Sequence, residues 1–406
     1  MLNAQQIIAE ADRCVACGLC LPYCPTYIKT GSEADSPRGR IQLISAVARE
    51  ILPANDRFKQ HIDLCLGCRN CETACPNGVH YGALIDSARA NIAKPATLSN
   101  KLANYFVSHS THMRLAGNVI RIAQTLGLIN LASRILPTLK KPIALLPNMP
   151  KQQIWRELYK TNHPQTSTLI KQNEVSLFLG CISNTFDTNT LRASVFVLNQ
   201  LGFNVRIPTL QTCCGGLARQ QGDDAEATRL IMQNDNAFNQ DNAVITIASG
   251  CGAGLQDYSN LKIVDISAFL MQCDWSNISL QPLNKNIADE ILVHEPCTLR
   301  NVQKTHLAVV DLLKKIPQAT ITNLPANAQC CGGAGAYMLN QPTMAAQLLD
   351  DKILAIKNSK AKILATSNIG CAMHIAAGLR AQHIQVSVLH PVNIIAKQMG
   401  FNDKLD

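Results

Sequence analysis

The chain has 406 residues, 47% of them hydrophobic and 16% charged, with a net charge of +9 and 17 cysteines. That length fits two or three domains, and the composition supplies packed cores and excludes a disordered chain. The positive charge, taken as spread along the chain without a basic block or interleaved aromatics, excludes a nucleic-acid binder and leaves a mild preference for anionic partners or an anionic membrane face.

No apolar stretch reaches the length needed to span a bilayer. The opening MLNAQQIIAEADR lacks a basic start followed by an apolar run of signal-peptide length. A cytosolic chain with reduced thiols is therefore expected, and its cysteines read as metal ligands and not as a disulfide frame.

The first region, about residues 1–95, carries CVACGLCLPYCP from Cys14 to Pro25 and CLGCRNCETACP from Cys65 to Pro76. Both follow C-x2-C-x2-C-x3-C-P, the ligand pattern of a [4Fe–4S] cluster. With two such runs, the fourth cysteine of each ligates the other cluster. The expected sets are Cys14, Cys17, Cys20 with Cys75, and Cys65, Cys68, Cys71 with Cys24. Zinc sites instead present C-x2-C pairs separated by a longer loop. Between the runs, Ser36 and Pro37 read as a helix N-cap and first residue. Ile41, Ile44, Ala48 and Ile51 follow at helical spacing. A compact bacterial ferredoxin has little room for that helix, so the region resembles the α-helical ferredoxin type of respiratory iron–sulfur subunits. Arg38 and Arg40 fall in the first turn of this helix, either beside an anionic cluster or reaching solvent.

The second region, about 96–170, has no cysteine. Leu115, Val119, Ile122, Ala123, Leu126, Ile129 and Leu136 form one helical stripe, with Arg121, Arg134, Lys140 and Lys141 away from it. The stripe is expected to pack against the chain's own core, with a membrane-surface helix as the second reading. Pro137, Pro142, Pro147 and Pro150 then break the helix into a connector.

The third region repeats itself over about 171–285 and 286–406. Cys181 closes VSLFLGC, Cys213 and Cys214 lie in TCCGG, and Cys251 in VITIASGCGAG. The second copy has ILVHEPC ending at Cys297, QCCGGAG with Cys330 and Cys331, and ILATSNIGCAMH with Cys371. Each first and last cysteine ends a β-branched apolar run of the kind that forms buried parallel strands, and 190–202 and 305–316 read as helices. An α/β sheet per copy would place its thiols at the carboxyl ends of the strands, where such sheets bind ligands. Two copies facing each other would aim Cys213–Cys214 and Cys330–Cys331 at a shared interior.

Four thiols per copy can hold an iron–sulfur cluster or zinc. GCGAG is a weak dinucleotide match, with Leu255 where a third glycine belongs. Cys273 is left over and reads as a buried apolar residue. His294 and His374, beside repeat cysteines, read as ligands, as donors to ligands, or as structural histidines.

Paired C-P runs with SPRGR between them, followed by two CCG cysteine-rich domains, make the chain resemble the glycolate oxidase iron–sulfur subunits. Relatives of that group serve anaerobic glycerol-3-phosphate dehydrogenase, lactate utilisation and heterodisulfide reductase. The resemblance implies an α-helical ferredoxin-type domain followed by two tandem pseudo-symmetric α/β domains. It also implies two [4Fe–4S] clusters on the eight N-terminal cysteines, and CCG roles for the eight repeat cysteines, with iron–sulfur cluster or zinc there. The implied role is electron transfer from an FAD-containing dehydrogenase subunit that oxidises a 2-hydroxy acid towards the quinone pool, in the cytoplasm and peripheral to the inner membrane, with the chain alone not catalytic. One departure stands out: Gly254 and His374 occupy the positions of a fifth cysteine in heterodisulfide-type domains. That weighs against the alternative, a thiol/disulfide reductase with catalysis in the repeats.

Overall fold

The computed structural model of the chain describes residues 1–92, 105–136, 139–162, 173–238, 242–283 and 290–402. The expected domain boundaries near 95, 170 and 285, and Pro137, lie outside these residues.

The N-terminal region is helical, with helices at Ala4–Asp12, Pro25–Thr30, Pro37–Ala48, Asp56–Asp63 and Tyr81–Ile92 among its elements. Ser36 caps the third of these, its side chain accepting from the Gly39 N–H, and Pro37 takes the first position. Gly39 is needed there, because a Cβ would stand 1.9 Å from the Glu33 carbonyl oxygen. Ile41 and Ile44 are buried against Ile7, Ile62, Leu84 and Ile85. Ile51 is not part of that face. The helix has ended at Ala48, Glu50 has a positive φ, and Ile51 is exposed.

The connector stripe is broken at Gly127, whose φ of +71° ends one helix, Ser110–Thr125, and starts another, Leu128–Ile135. It does not pack inward. Leu115, Val119, Ile122, Leu126, Leu131 and Ile135 are all more than half exposed, and Gly117 is the buried residue of the first helix. That helix instead meets Ile182–Phe186 through the Gly117 side, where Gln152 lies close and bonds the Thr185 carbonyl. No helix among the described residues is long and apolar enough to cross a membrane.

The repeat is a matched pair of sheets. Among the described residues the first orders its strands β1-β3-β2-β4-β5: β1 Leu158–Tyr159, β2 Glu174–Phe178, β3 Asn204–Arg206, β4 Ala243–Thr246 and β5 Lys262–Asp265. The second orders them β7-β6-β8-β9: β6 Glu290–His294, β7 Thr320–Asn323, β8 Ile363–Thr366 and β9 Ser387–Leu389. All neighbours are parallel except β1, which the connector adds antiparallel to β3. Removing β1 leaves the same order twice. Even the clamp after the central strand is repeated. The Gln211 side chain bonds Leu179 N–H and Leu177 C=O, and that of Asn327 bonds Glu295 N–H and Val293 C=O.

The halves pack reciprocally. Helix Thr188–Gln200 of the first lies on Pro391–Gln398 of the second, and Ile266–Met271 of the first on Leu307–Leu313 of the second. One apolar cluster therefore runs through both, from Val175 and Leu177 to Val293, Ala365 and Ile395. Each such fully buried aliphatic side chain contributes about 1.5–3 kcal/mol.

Candidate metal centres

Two hollows hold the N-terminal cysteines. The outer one, of about 450 Å³, is lined by Cys14, Cys17, Cys20, Cys75 and Cys71. The inner one, of about 290 Å³, is lined by Cys24, Cys65, Cys68 and Cys71. Each hollow thus meets a fourth cysteine from the other run, because helix Pro37–Ala48 separates the runs in sequence while the C-P turns bring Cys24 and Cys75 across. The two differ in exposure. Cys17 is exposed and Cys14, Cys20 and Cys75 are half-buried, whereas Cys24, Cys65, Cys68 and Cys71 are all buried. Burial raises the Cys20 thiol to about 11 and pushes Cys68 and Cys71 well up. A free thiol is favoured there over a bare thiolate, and a metal that binds the thiolate reverses that balance.

The chemistry lining the inner hollow suits an anionic group. Arg40 is 1% exposed, and its Nη1 lies 4.0 Å from Cys24 Sγ. The same guanidinium donates to Thr26 Oγ1 at 3.1 Å and, through Nε, to the His61 carbonyl at 2.7 Å, while Nη2 has no hydrogen-bond partner and lies 3.7 Å from Asp35. Burial opposes its charge, but Tyr81, Cys65, Cys24 and Asp35 around it hold the charge in place. Cys65 Sγ accepts from Gly67 N–H at 3.4 Å and Tyr81 O–H at 3.6 Å. Hydrogen bonds and a cation aimed at the sulfurs are how a protein tunes such a site. The solvent reading of Arg40 therefore fails, while Arg38 pairs with Glu33 and donates to the Ala16 carbonyl beside the outer hollow.

In the repeat, Cys181 and Cys297 each follow the central strand by three residues, and the CC pairs sit in loops after β3 and β7. Cys251 and Cys371 do not end strands; each is the third residue of the next helix, Ser249–Tyr258 or Ile369–Ala381. The glycine after each pair is required. Gly215 (φ +77°) and Gly332 (φ +84°) are left-handed, and a Cβ would press on the backbone of Ala227 or Ala345.

The thiols gather by half. Cys181 Sγ is 3.4 Å from Cys213 Sγ, and Cys214 is held well below its usual value by hydrogen bonds from Cys213 and Cys251. Cys297 Sγ is 4.0 Å from Cys330 Sγ, and Cys330 is likewise held down by Cys297 and Cys331. The shared interior gives way to two separate sites, since each sheet collects its own strand ends. The first opens to a groove lined by Val107, Arg114, Trp155 and Thr212. The second is packed against the inner hollow, where Leu66, Cys68, Cys330, Tyr337 and Met344 form one cluster. Asn301 reinforces that contact, donating to the Cys68 carbonyl at 2.7 Å.

His294 is buried, meets Thr366 Oγ1 through Nδ1 at 2.9 Å, and is kept neutral by burial, its pKa lowered to about 3. His374 meets the Ala345 carbonyl through Nε2 at 3.3 Å. Cys273 sits half-buried at the core margin, its thiol bonded to the Phe269 carbonyl and pushed by burial to about 12. The GCGAG glycines are helical, and Gly252 is where Gln303 of the second half packs.

Sequence reasoning missed Lys352. It is 1% exposed, donates to the Ala326 carbonyl at 2.6 Å, and lies among Cys331, Cys330, Cys371 and Cys297; burial lowers its pKa while those sulfurs raise it. Its surface-like helix gave no signal. The charge distribution was also missed, although it was readable: from 93 to 156 there are nine Lys or Arg and no Asp or Glu. The other 28 basic residues are matched by the 28 acidic ones, so the net +9 belongs to the connector.

Residues 10–79 match the family described as 4Fe-4S dicluster domain, and 175–256 and 291–376 match the cysteine-rich domain family. The chain is 32% identical over 425 residues to the probable glycolate oxidase iron-sulfur subunit of Bacillus subtilis, covering 96% of this chain and 94% of that one. It is 29% identical over 422 residues to the glycolate oxidase iron-sulfur subunit of Escherichia coli, covering 98% and 97%. Lactate utilization protein A of Bacillus velezensis is 24% identical over 238 residues, covering 55% and 98%. A hypothetical protein from Helicobacter pylori has the same fold over 92% of this chain and 69% of its own, with a TM-score of 0.54 at 12% identity.

Proposed function

The chain belongs to the family of glycolate oxidase iron–sulfur subunits, and on that premise we propose that it carries electrons from an FAD-containing 2-hydroxy-acid dehydrogenase partner towards the quinone pool. The proposed ligands are Cys14, Cys17, Cys20 and Cys75 for an outer [4Fe–4S] cluster, and Cys65, Cys68, Cys71 and Cys24 for an inner one. Such clusters supply one-electron storage and transfer when bound. The observation that carries the reading is the arrangement of the two hollows. They share Cys71, Pro37 and Tyr81 as walls, and run from exposed thiols to buried ones. The outer wall offers a partner a point of entry, while Arg40, Tyr81 and the Gly67 N–H stabilise negative charge within. The repeat thiols Cys181, Cys213, Cys214, Cys251 and Cys297, Cys330, Cys331, Cys371 are proposed as two further metal sites, for iron–sulfur cluster or zinc. The chain alone should not turn over glycolate or lactate. Co-expression with a flavoprotein partner should make substrate-dependent dye reduction appear, and turnover by the isolated chain would overturn the subunit reading.

The partner surface of the connector is proposed to be the cytoplasmic, anionic face of a membrane. Its exposed stripe and acid-free basic composition support this together, since apolar side chains enter the interface while each nearby Lys or Arg adds about 1 kcal/mol against anionic lipid. The purified chain should co-sediment with vesicles containing phosphatidylglycerol and not with pure phosphatidylcholine, and Val119→Glu with Leu126→Glu should weaken this at least tenfold. Equal binding to both vesicle types, or no effect of the double variant, would refute the surface.

A further inference from the structure

The two halves are alike in backbone but not in the side chains around their thiols. Phe178 ends β2 three residues before Cys181, and His294 ends β6 three residues before Cys297. Asn234 lies seven residues after Ala227, which packs under Gly215, and bonds Thr212 N–H and the Cys213 carbonyl. Lys352 lies seven residues after Ala345, which packs under Gly332. The second half therefore carries an imidazole and an ammonium where the first carries a phenyl ring and an amide.

His294, Cys331 and Cys371 are all buried, and their ligand atoms lie within 4.8 Å of one another; no other such triad of His, Cys, Asp or Glu is found among the described residues. Donors on one tetrahedral zinc ion stand roughly 3.5–4 Å apart, given bonds of about 2.0–2.3 Å. Donors within 4.8 Å of one another need only a small closure to share one such ion, whereas the sulfurs of a multi-iron cluster sit on different irons. Thr366, paired with His294 across β6 and β8, holds Nδ1 and leaves Nε2 for a ligand. We propose that the second half binds a single zinc ion through His294 Nε2, Cys331 Sγ and Cys371 Sγ, with the adjoining Cys330 thiol in the fourth position, so that His294 takes the place of Cys297 in the four-thiol set and Cys297 stays beside Cys330 as a neighbour. Three thiolates and a neutral imidazole around a divalent ion carry one net negative charge, and the buried Lys352 ammonium beside them cancels it. This site is closed and redox-silent, so it staples the second half against the inner hollow and takes no electron itself. It stands independently of the electron-transfer reading.

The test is metal analysis of anaerobically purified full-length chain, wild type against His294→Phe, the first half's own residue, and His294→Gln. Zinc X-ray absorption of the wild type should show one imidazole nitrogen among sulfur ligands. Both variants should lose one zinc per chain, or release it to a chelator at least tenfold faster, with iron and acid-labile sulfide unchanged. Replacing that zinc by Co²⁺ should give thiolate-to-cobalt absorption that shifts in His294→Gln, a response that a purely structural histidine would not produce. Unchanged zinc retention in both variants, an all-sulfur zinc spectrum, or iron in place of zinc in the second half would each overturn the assignment.

Discussion

Replacing Arg40 by Gln removes a cation that is 1% exposed and stands 4.0 Å from Cys24 Sγ. A unit charge pair at 4 Å interacts by about 4 kcal/mol at an effective dielectric of 20. An electron added to a cluster is shared over its atoms, so the mean separation is about twice that and the interaction roughly 2 kcal/mol. For a one-electron couple this is on the order of 90 mV. EPR-monitored redox titration of anaerobic protein should therefore show the inner cluster's midpoint falling by about that amount, with the outer one moving less. Arg40→Lys retains the charge and should move the inner midpoint by less than about half as much. Both variants also leave the His61 carbonyl short of its donor, which costs about 1–3 kcal/mol of stability. If Arg40→Gln left the inner midpoint unchanged, or Lys shifted it as far as Gln, the guanidinium would not be acting on that site by its charge.

Two other substitutions test the crossed ligation and the acid sensitivity of the fold. Cys24→Ser should damage the EPR signal of the cluster built on Cys65, Cys68 and Cys71 more than that on Cys14, Cys17 and Cys20; loss confined to the latter would mean that the ligation is not crossed. His390 joins the halves, Nε2 to the Ile247 carbonyl, and burial lowers its pKa to about 4. A histidine neutral in the fold and near 6.5 when unfolded stabilises fully above pH 6.5 and loses that contribution as pH falls towards 4, roughly 3 kcal/mol in all. His390→Asn keeps an acceptor for the Val392 N–H and should flatten the acid side of the pH–stability curve measured by urea unfolding. Superimposable curves would place the acid sensitivity elsewhere.

The features legible in the sequence are those set by local chemistry. The C-P runs, the Ser36–Pro37 cap and the double-glycine CC motifs each state their own backbone, and matching cysteine spacing announced the two halves. What escaped was decided across the fold. A helical period told that Leu115, Val119 and Ile122 share a face, but not whether anything covers it. Period alone also ran through Gly127, where the chain turns left-handed. The strand-to-cysteine distance was misjudged at Cys251 and Cys371, because apolar residues continue from strand into the next helix. Arg40 in a helix's first turn could stand beside a cluster or reach solvent, and only its placement between Cys24, Thr26 and His61 decides between the two. Lys352 sits in an ordinary amphipathic helix, and its burial among thiols comes from the loop after β7 closing over it.

In the proposed function, electrons enter this chain from a flavoprotein and are stored on clusters that its N-terminal cysteines would ligate. Anaerobic stopped-flow mixing of glycolate with the assembled complex, followed at the visible absorbance of iron–sulfur clusters, tests it most directly. The clusters should bleach after flavin reduction, and bleaching should be slowed or halted when Cys71, the thiol common to both hollows, is replaced by Ser. Complete flavin reduction with no change in cluster absorbance, or bleaching indifferent to Cys71, would contradict it.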